Sequence, residues 1–155
     1  MLNLKDSSKV FLNVFTLFLL FGASMVYGKD ESGSLTVNIE GLTSNKGVVR
    51  IALFNSEQAF SSQEYGINGA VKYDSLEIKD RKSVWKVEKL PFGTYAIRTF
   101  HDEDSSGKFK VNRIGIPQYE YGFSNDAKAL FGPPSYKKAK FEFKTSKSIK
   151  ITMHR

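Results

Sequence analysis

The sequence predicts an all-β domain, a single antiparallel β-sandwich of about seven strands with one long aromatic-rich loop. Three observations carry that expectation. Apolar and polar residues alternate with period two in several short runs. Turn residues punctuate those runs, and no stretch carries the apolar stripe of a four-turn amphipathic helix. Short alternating strands with frequent turn signals and no long helix describe a sandwich.

The elements follow in order. Leu35, Val37 and Ile39 alternate with Thr36, Asn38 and Glu40 before Gly41 breaks the run. Val49, Ile51 and Leu53 repeat the pattern after Asn45-Lys46-Gly47, a turn signal that predicts a hairpin between the two strands. Ser56 can cap one helical turn over Glu57–Phe60. Val71–Tyr73, Leu76–Ile78 and Val84–Val87 read as strands, with a turn at Asp80–Ser83. Tyr95, Ile97 and Thr99 continue the alternation after the Pro91-Phe92-Gly93 turn. Two basic runs, Lys138–Lys144 and Ile149–His154, complete the set.

The N-terminus has the form of an export signal. Lys5 and Lys9 precede an apolar run from Val10 to Phe21, and small residues follow up to Gly28. That order is a secretory n-region, h-region and cleavage site, and the run is shorter than the ~20 residues of a membrane span. The reading is cleavage after Gly28 or Ser24, with a single domain over residues 29–155 and a periplasmic or extracellular location. Removing residues 1–28 leaves 127 residues at a net charge of +6. The chain has no cysteine, so disulfides, thiolate metal sites and cysteine nucleophiles are excluded.

Residues 127–155 carry a net +7. Lysines at 138, 140, 144, 147 and 150 make a polyanion site one reading of this segment. Their alternation with Ala139, Phe141, Phe143, Ile149 and Ile151 instead describes half-buried strands with a charged outer face, which argues against nucleic acid.

Between Phe100 and Ala139 the periodicity lapses. The interval holds four Gly, three of the four Pro, and Phe109, Tyr119, Tyr121, Phe123, Phe131 and Tyr136. A loop of this length in a small domain is functional or disordered, and its aromatic content argues for packing. At its start, Asp102-Glu103-Asp104-Ser105-Ser106-Gly107-Lys108 is the first half of a calcium loop. Asp102, Asp104 and Ser106 would supply oxygens, Gly107 the turn, and Lys108 its carbonyl. The second half carries Lys110 and Arg113 where ligands belong. Two readings stand: an Asx-type turn, or a weak or partial Ca²⁺ site.

No catalytic residue is assigned. An enzyme using His101, Asp102 and Asp104 beside the long loop is the alternative, but neighbours on a strand point to opposite faces, so His101 and Asp102 do not pair naturally. No nucleophile elbow, phosphate loop or dinucleotide fingerprint is present. The candidate binding residues are His101, Asn112, Tyr121, Phe123, Ser124 and Asn125.

Several of these residues stand in a recognisable order. Leu90-Pro91-Phe92-Gly93-Thr94-Tyr95-Ala96, His101–Lys108, Gly115-Ile116-Pro117, Tyr121-Gly122-Phe123-Ser124-Asn125 and Gly132-Pro133-Pro134-Ser135-Tyr136, with Ala139 and Phe141, resemble the bacterial domain-of-unknown-function 2141 family. The resemblance spans residues 34–153 and implies an exported bacterial protein of unassigned activity. The family pattern places an acid after the Gly-Lys of the loop and another after Gly-Ile-Pro. This chain has Lys110 at the first and Gln118-Tyr119 before Glu120 at the second, so no complete metal site is carried across. Leu90–Tyr95 also resembles the turn-to-strand element of transthyretin-like sandwiches, a likeness of fold within the broader immunoglobulin-like architecture. The expected function is a non-enzymatic binding or envelope-associated module whose partner is an envelope protein or a glycan.

Overall fold

The computed structural model describes residues 31–62 and 67–155. The export segment expected over residues 1–28 lies outside the described residues. Residues Glu31–Arg155 form one unit. It is mostly β, as expected. Its strands are β1 (Ser32–Glu40), β2 (Val48–Phe54), β3 (Lys72–Leu76), β4 (Ser83–Pro91), β5 (Gly93–Asp102), β6 (Tyr121–Phe123), β7 (Phe141–Phe143) and β8 (Lys147–Thr152). Single helical turns occupy Glu57–Phe60 and Tyr136–Ala139, and a 3-10 turn occupies Ser124–Asp126. Ser56 caps the first of these, its side chain accepting from the Ala59 N–H.

The strands form two sheets. The first runs β4-β1-β8. The second runs β3-β2-β5, and the far edge of β5 is shared: β7 pairs with Gly93–Tyr95 and β6 with Arg98–Phe100.

The hairpin expected at Asn45-Lys46-Gly47 does not form: β1 pairs with β4 and β8, and β2 pairs with β3 and β5. Gly41 turns the chain at φ 86°, Leu42 is buried in the core, and the segment crosses to the other sheet. Gly47 ends that crossing at φ 67°, where a Cβ would lie 2.1 Å from the Asp102 carbonyl oxygen. Only glycine fits so close an approach.

Nor is the pairing wholly antiparallel, because β8 runs parallel to β1 from Leu35↔Lys147 to Glu40↔Thr152. After β7 the chain changes sheets at Ser146, whose Oγ accepts the Ser34 N–H at 2.9 Å, and β8 then starts at the end where β1 starts. Alternation identifies a strand's buried face and carries no information on its direction. The expected strand at Lys138–Lys144 is shorter than the run, since Lys138 and Ala139 belong to the helical turn. The eighth strand, β6, lies inside the interval expected to be loop.

Each sheet contributes its alternate residues to one apolar cluster. Leu35, Val37, Ile39, Trp85, Val87 and Ile151 come from the first sheet, and Val49, Ile51, Leu53, Tyr95, Ile97 and Phe143 from the second. Each fully buried side chain of this size contributes about 1.5–3 kcal/mol. The sheets are laced at both edges. Tyr121 and His154 exchange two backbone hydrogen bonds of 2.8 Å, and Trp85 donates its indole N–H to Asp74 at 3.1 Å.

Candidate functional site

β2 and β5 use both of their faces. Their odd-numbered residues enter the main core, while Ala52, Phe54 and Ala96 point the other way into a second cluster with Phe60, Phe123, Tyr136 and Ala139. Phe60 is its hub, meeting Phe54, Phe123 and Tyr136 edge-on at 5.7–6.2 Å. These contacts hold both helical turns against the outer face of the sheet.

Beyond that cluster the same face floors a cavity of about 640 Å³. Strand register sets the floor in two rows: Tyr73, Ala52, Arg98 and Phe123, then Ser75, Arg50, Phe100 and Tyr121. Two parts of the long loop form the walls, residues 107–117 and 130–133. The first is pinned by Phe109, whose ring meets Phe100 at 5.5 Å and Tyr121 at 6.3 Å, both edge-on. Val111 bridges to Pro117, and the Asn112 Oδ1 accepts the N–H groups of Ile114 and Ile116. Ile67, Tyr73, Ile114, Ile116, Leu130 and Phe131 leave large apolar surfaces exposed around the opening.

Two guanidinium groups lie in the floor. Arg50 donates Nε to Asp102 at 2.9 Å and Nη1 to Ser75 at 2.6 Å. Arg98 stacks over Phe54 at 4.5 Å and over Phe60 at 5.6 Å. Arg50, ion-paired, and Arg98, stacked on rings, both line the cavity.

The residues expected to act separate into three groups. Tyr121 and Phe123 line the cavity. Asn112 shapes its wall, while Ser124 and Asn125 are structural. Ser124 accepts the Ile97 N–H at 2.8 Å and donates to the Ala139 carbonyl at 2.6 Å. Asn125, at φ 61°, donates to the carbonyls of Lys138, Ala139 and Lys140. Together they clasp the end of β6 to the start of β7.

His101 lies on the opposite face of β5 from Asp102, wholly buried and outside the cavity lining. Its Nε2 meets the Lys46 carbonyl at 2.7 Å and its Nδ1 meets Glu120 at 2.9 Å. Thr43 donates to the other oxygen of Glu120. Burial pushes the Glu120 carboxyl up, but the hydrogen bonds from Thr43 and His101 outweigh it and hold the group below its ordinary value. Both ring nitrogens of His101 thus have an oxygen partner. This arrangement ties the β1–β2 crossover to residue 120 and the end of β5. Glu120 stands in the sequence only as a displaced acid, and the fold makes it the partner of His101.

The acidic loop satisfies itself. Asp102, also wholly buried, accepts the N–H groups of Ser106 at 3.0 Å and Gly107 at 2.8 Å in addition to Arg50. Asp104 pairs with Lys110, which holds its carboxyl down at about 2. The Lys108 side chain is exposed. Calcium at this loop would have to compete with Arg50 and two backbone donors for Asp102, and with Lys110 for Asp104. Among the described residues, no three His, Asp or Glu side chains gather in a group that could hold a metal ion. No helix among them is long and apolar enough to cross a membrane.

The cavity residues Arg50, Arg98, Tyr73 and Phe100 carry no motif and are assembled by strand register. Leu130 and Phe131 are legible only as apolar residues in a loop. No curated protein and no solved structure matches the chain. The profile of DUF2141, described as an uncharacterized protein conserved in bacteria, matches residues 37–152, and the chain belongs to that family.

Proposed function

We propose that this chain is an exported, non-enzymatic binding domain that holds an apolar or amphipathic small molecule against the outer face of the β3-β2-β5-β6 sheet. The carrying observation is the cavity of about 640 Å³, floored by Phe100, Phe123, Arg50 and Arg98 and walled by two apolar loop segments. Concave, mostly apolar sites with a few placed polar groups are where small ligands bind. The two sheets are read as the faces of a β-sandwich, which their shared apolar cluster supports. Export is read from the Lys5–Gly28 pattern. His101 serves the fold in this reading, held by Glu120 and the Lys46 carbonyl outside the cavity lining.

The test is displacement of anilinonaphthalene sulfonate by long-chain fatty acids, followed by fluorescence in vesicle-free solution. Ile116→Glu places a carboxylate at the apolar mouth, and dye affinity is expected to fall roughly tenfold or more. Dye binding that is absent, or indifferent to Ile116→Glu, overturns the reading.

A further inference from the structure

The opening of the cavity is unusual in what it exposes. Leu130 is 96% exposed, Phe131 93% and Ile114 78%. These side chains come from two separate loop tips, and both tips line the same opening. Each tip turns on a glycine in the left-handed region, Gly115 at φ 81° and Gly132 at φ 67°, and a Cβ on either would meet nothing within 4 Å. The tips therefore project into open space. Large apolar side chains exposed around one opening mark a contact surface for a partner or a membrane.

The two loop segments themselves carry only basic residues, although Asp74 also lines the cavity and Asp104 pairs with Lys110. Residues 107–117 contain Lys108, Lys110 and Arg113 and no acid, and residues 127–140 contain Lys128, Lys137, Lys138 and Lys140 and no acid. The Lys138 Nζ donates to the Lys128 carbonyl at 3.3 Å, which brings these lysines beside the Leu130 loop. Lysine stems can lie along apolar surface while their ammonium groups reach outward.

We propose that this rim docks on an anionic lipid bilayer, with Leu130, Phe131 and Ile114 entering the interface and the flanking lysines meeting headgroup phosphates. Interfacial binding strengthens with buried apolar area and with attraction to anionic lipid, and the rim supplies both. Each basic residue near such a surface strengthens binding roughly fivefold. A soluble polyanion would use the lysines and leave Leu130 and Phe131 without a role. The cavity then opens toward the membrane surface. This inference does not depend on the cavity being filled, so the dye experiment can fail without touching it.

The experiment is cosedimentation of residues 29–155, the chain left once the export segment read over Lys5–Gly28 is removed, with vesicles of equimolar phosphatidylglycerol and phosphatidylcholine, and with phosphatidylcholine alone. The paired change Leu130→Ser and Phe131→Ser is expected to lower partitioning onto the anionic vesicles at least tenfold. The paired change Lys128→Gln and Lys138→Gln lowers it roughly 25-fold. Ile114→Ser, on the other tip, gives an independent loss. All these side chains are exposed, so the variants should melt with the wild type. Unchanged sedimentation of the Leu130/Phe131 variant on anionic vesicles overturns the proposal. So does heparin retention that depends on the lysines alone while the apolar variants bind vesicles normally, which would make the rim a polyanion surface.

Discussion

Arg50 and Asp102 are diagonal neighbours on the outer face of the paired strands β2 and β5, joined Nε to Oδ2 at 2.9 Å. Asp102 is the last residue of β5, and its carboxylate also receives the first N–H groups of the loop that walls the cavity. A single buried acid thus sets both a floor cation and the exit of the long loop. Removing it takes the carboxylate from Arg50, which keeps Ser75, and leaves the Ser106 and Gly107 amides without their acceptor. Asp102→Ala is expected to cost about 3 kcal/mol in urea unfolding. A loss under about 1 kcal/mol would show that water substitutes for the carboxylate.

The His101–Glu120 contact predicts an acid limit. Glu120 has its folded pKa depressed below 4.5 by Thr43 and His101, so its contribution is fully present above that value and is lost as pH falls through the folded pKa. Unfolding free energy should decline as pH falls below 4.5, and Glu120→Gln should flatten part of that slope. The exposed pair Asp104–Lys110 lowers a carboxyl in the same direction, but salt screens it. Repeating the pH series in high salt separates the two. Slopes that match in wild type and Glu120→Gln under high salt would remove Glu120 from the account.

The acidic loop predicts indifference to calcium. A ligand that binds only the folded state raises stability by RT ln(1 + [L]/Kd). Millimolar Ca²⁺ is expected to leave the melting temperature unchanged, since Asp102 and Asp104 already have cationic partners. A rise that Asp104→Ala abolishes would restore a metal role to Asp102, Asp104, Ser106 and Lys108.

Legibility differed from segment to segment. The cores of β1, β2, β4 and β5 follow from alternation, because a strand with one face buried must place apolar residues at every second position. β5 is buried on both faces beside β2, and its even positions Ala96, Arg98 and Phe100 gave no sign of a second layer, since that layer comes from residues far along the chain. Ser124 and Asn125 stand in the sequence as part of the Tyr121–Asn125 segment of the family pattern. Their work is to satisfy backbone groups at residues 97 and 138–140, a requirement that exists only once those segments meet.

The sequence alone determined that the chain is built of β-strands, that its long interval packs through aromatics, and that it shares the residue pattern of its family. These are consequences of side-chain period and composition, which act locally. Tertiary structure decided which strands pair, that β8 lies parallel to β1, that His101 and Asp102 serve opposite faces, and that Arg50, Arg98 and two distant loop tips enclose one cavity. Those outcomes depend on contacts between residues tens of positions apart, which form only when the chain crosses from one sheet to the other.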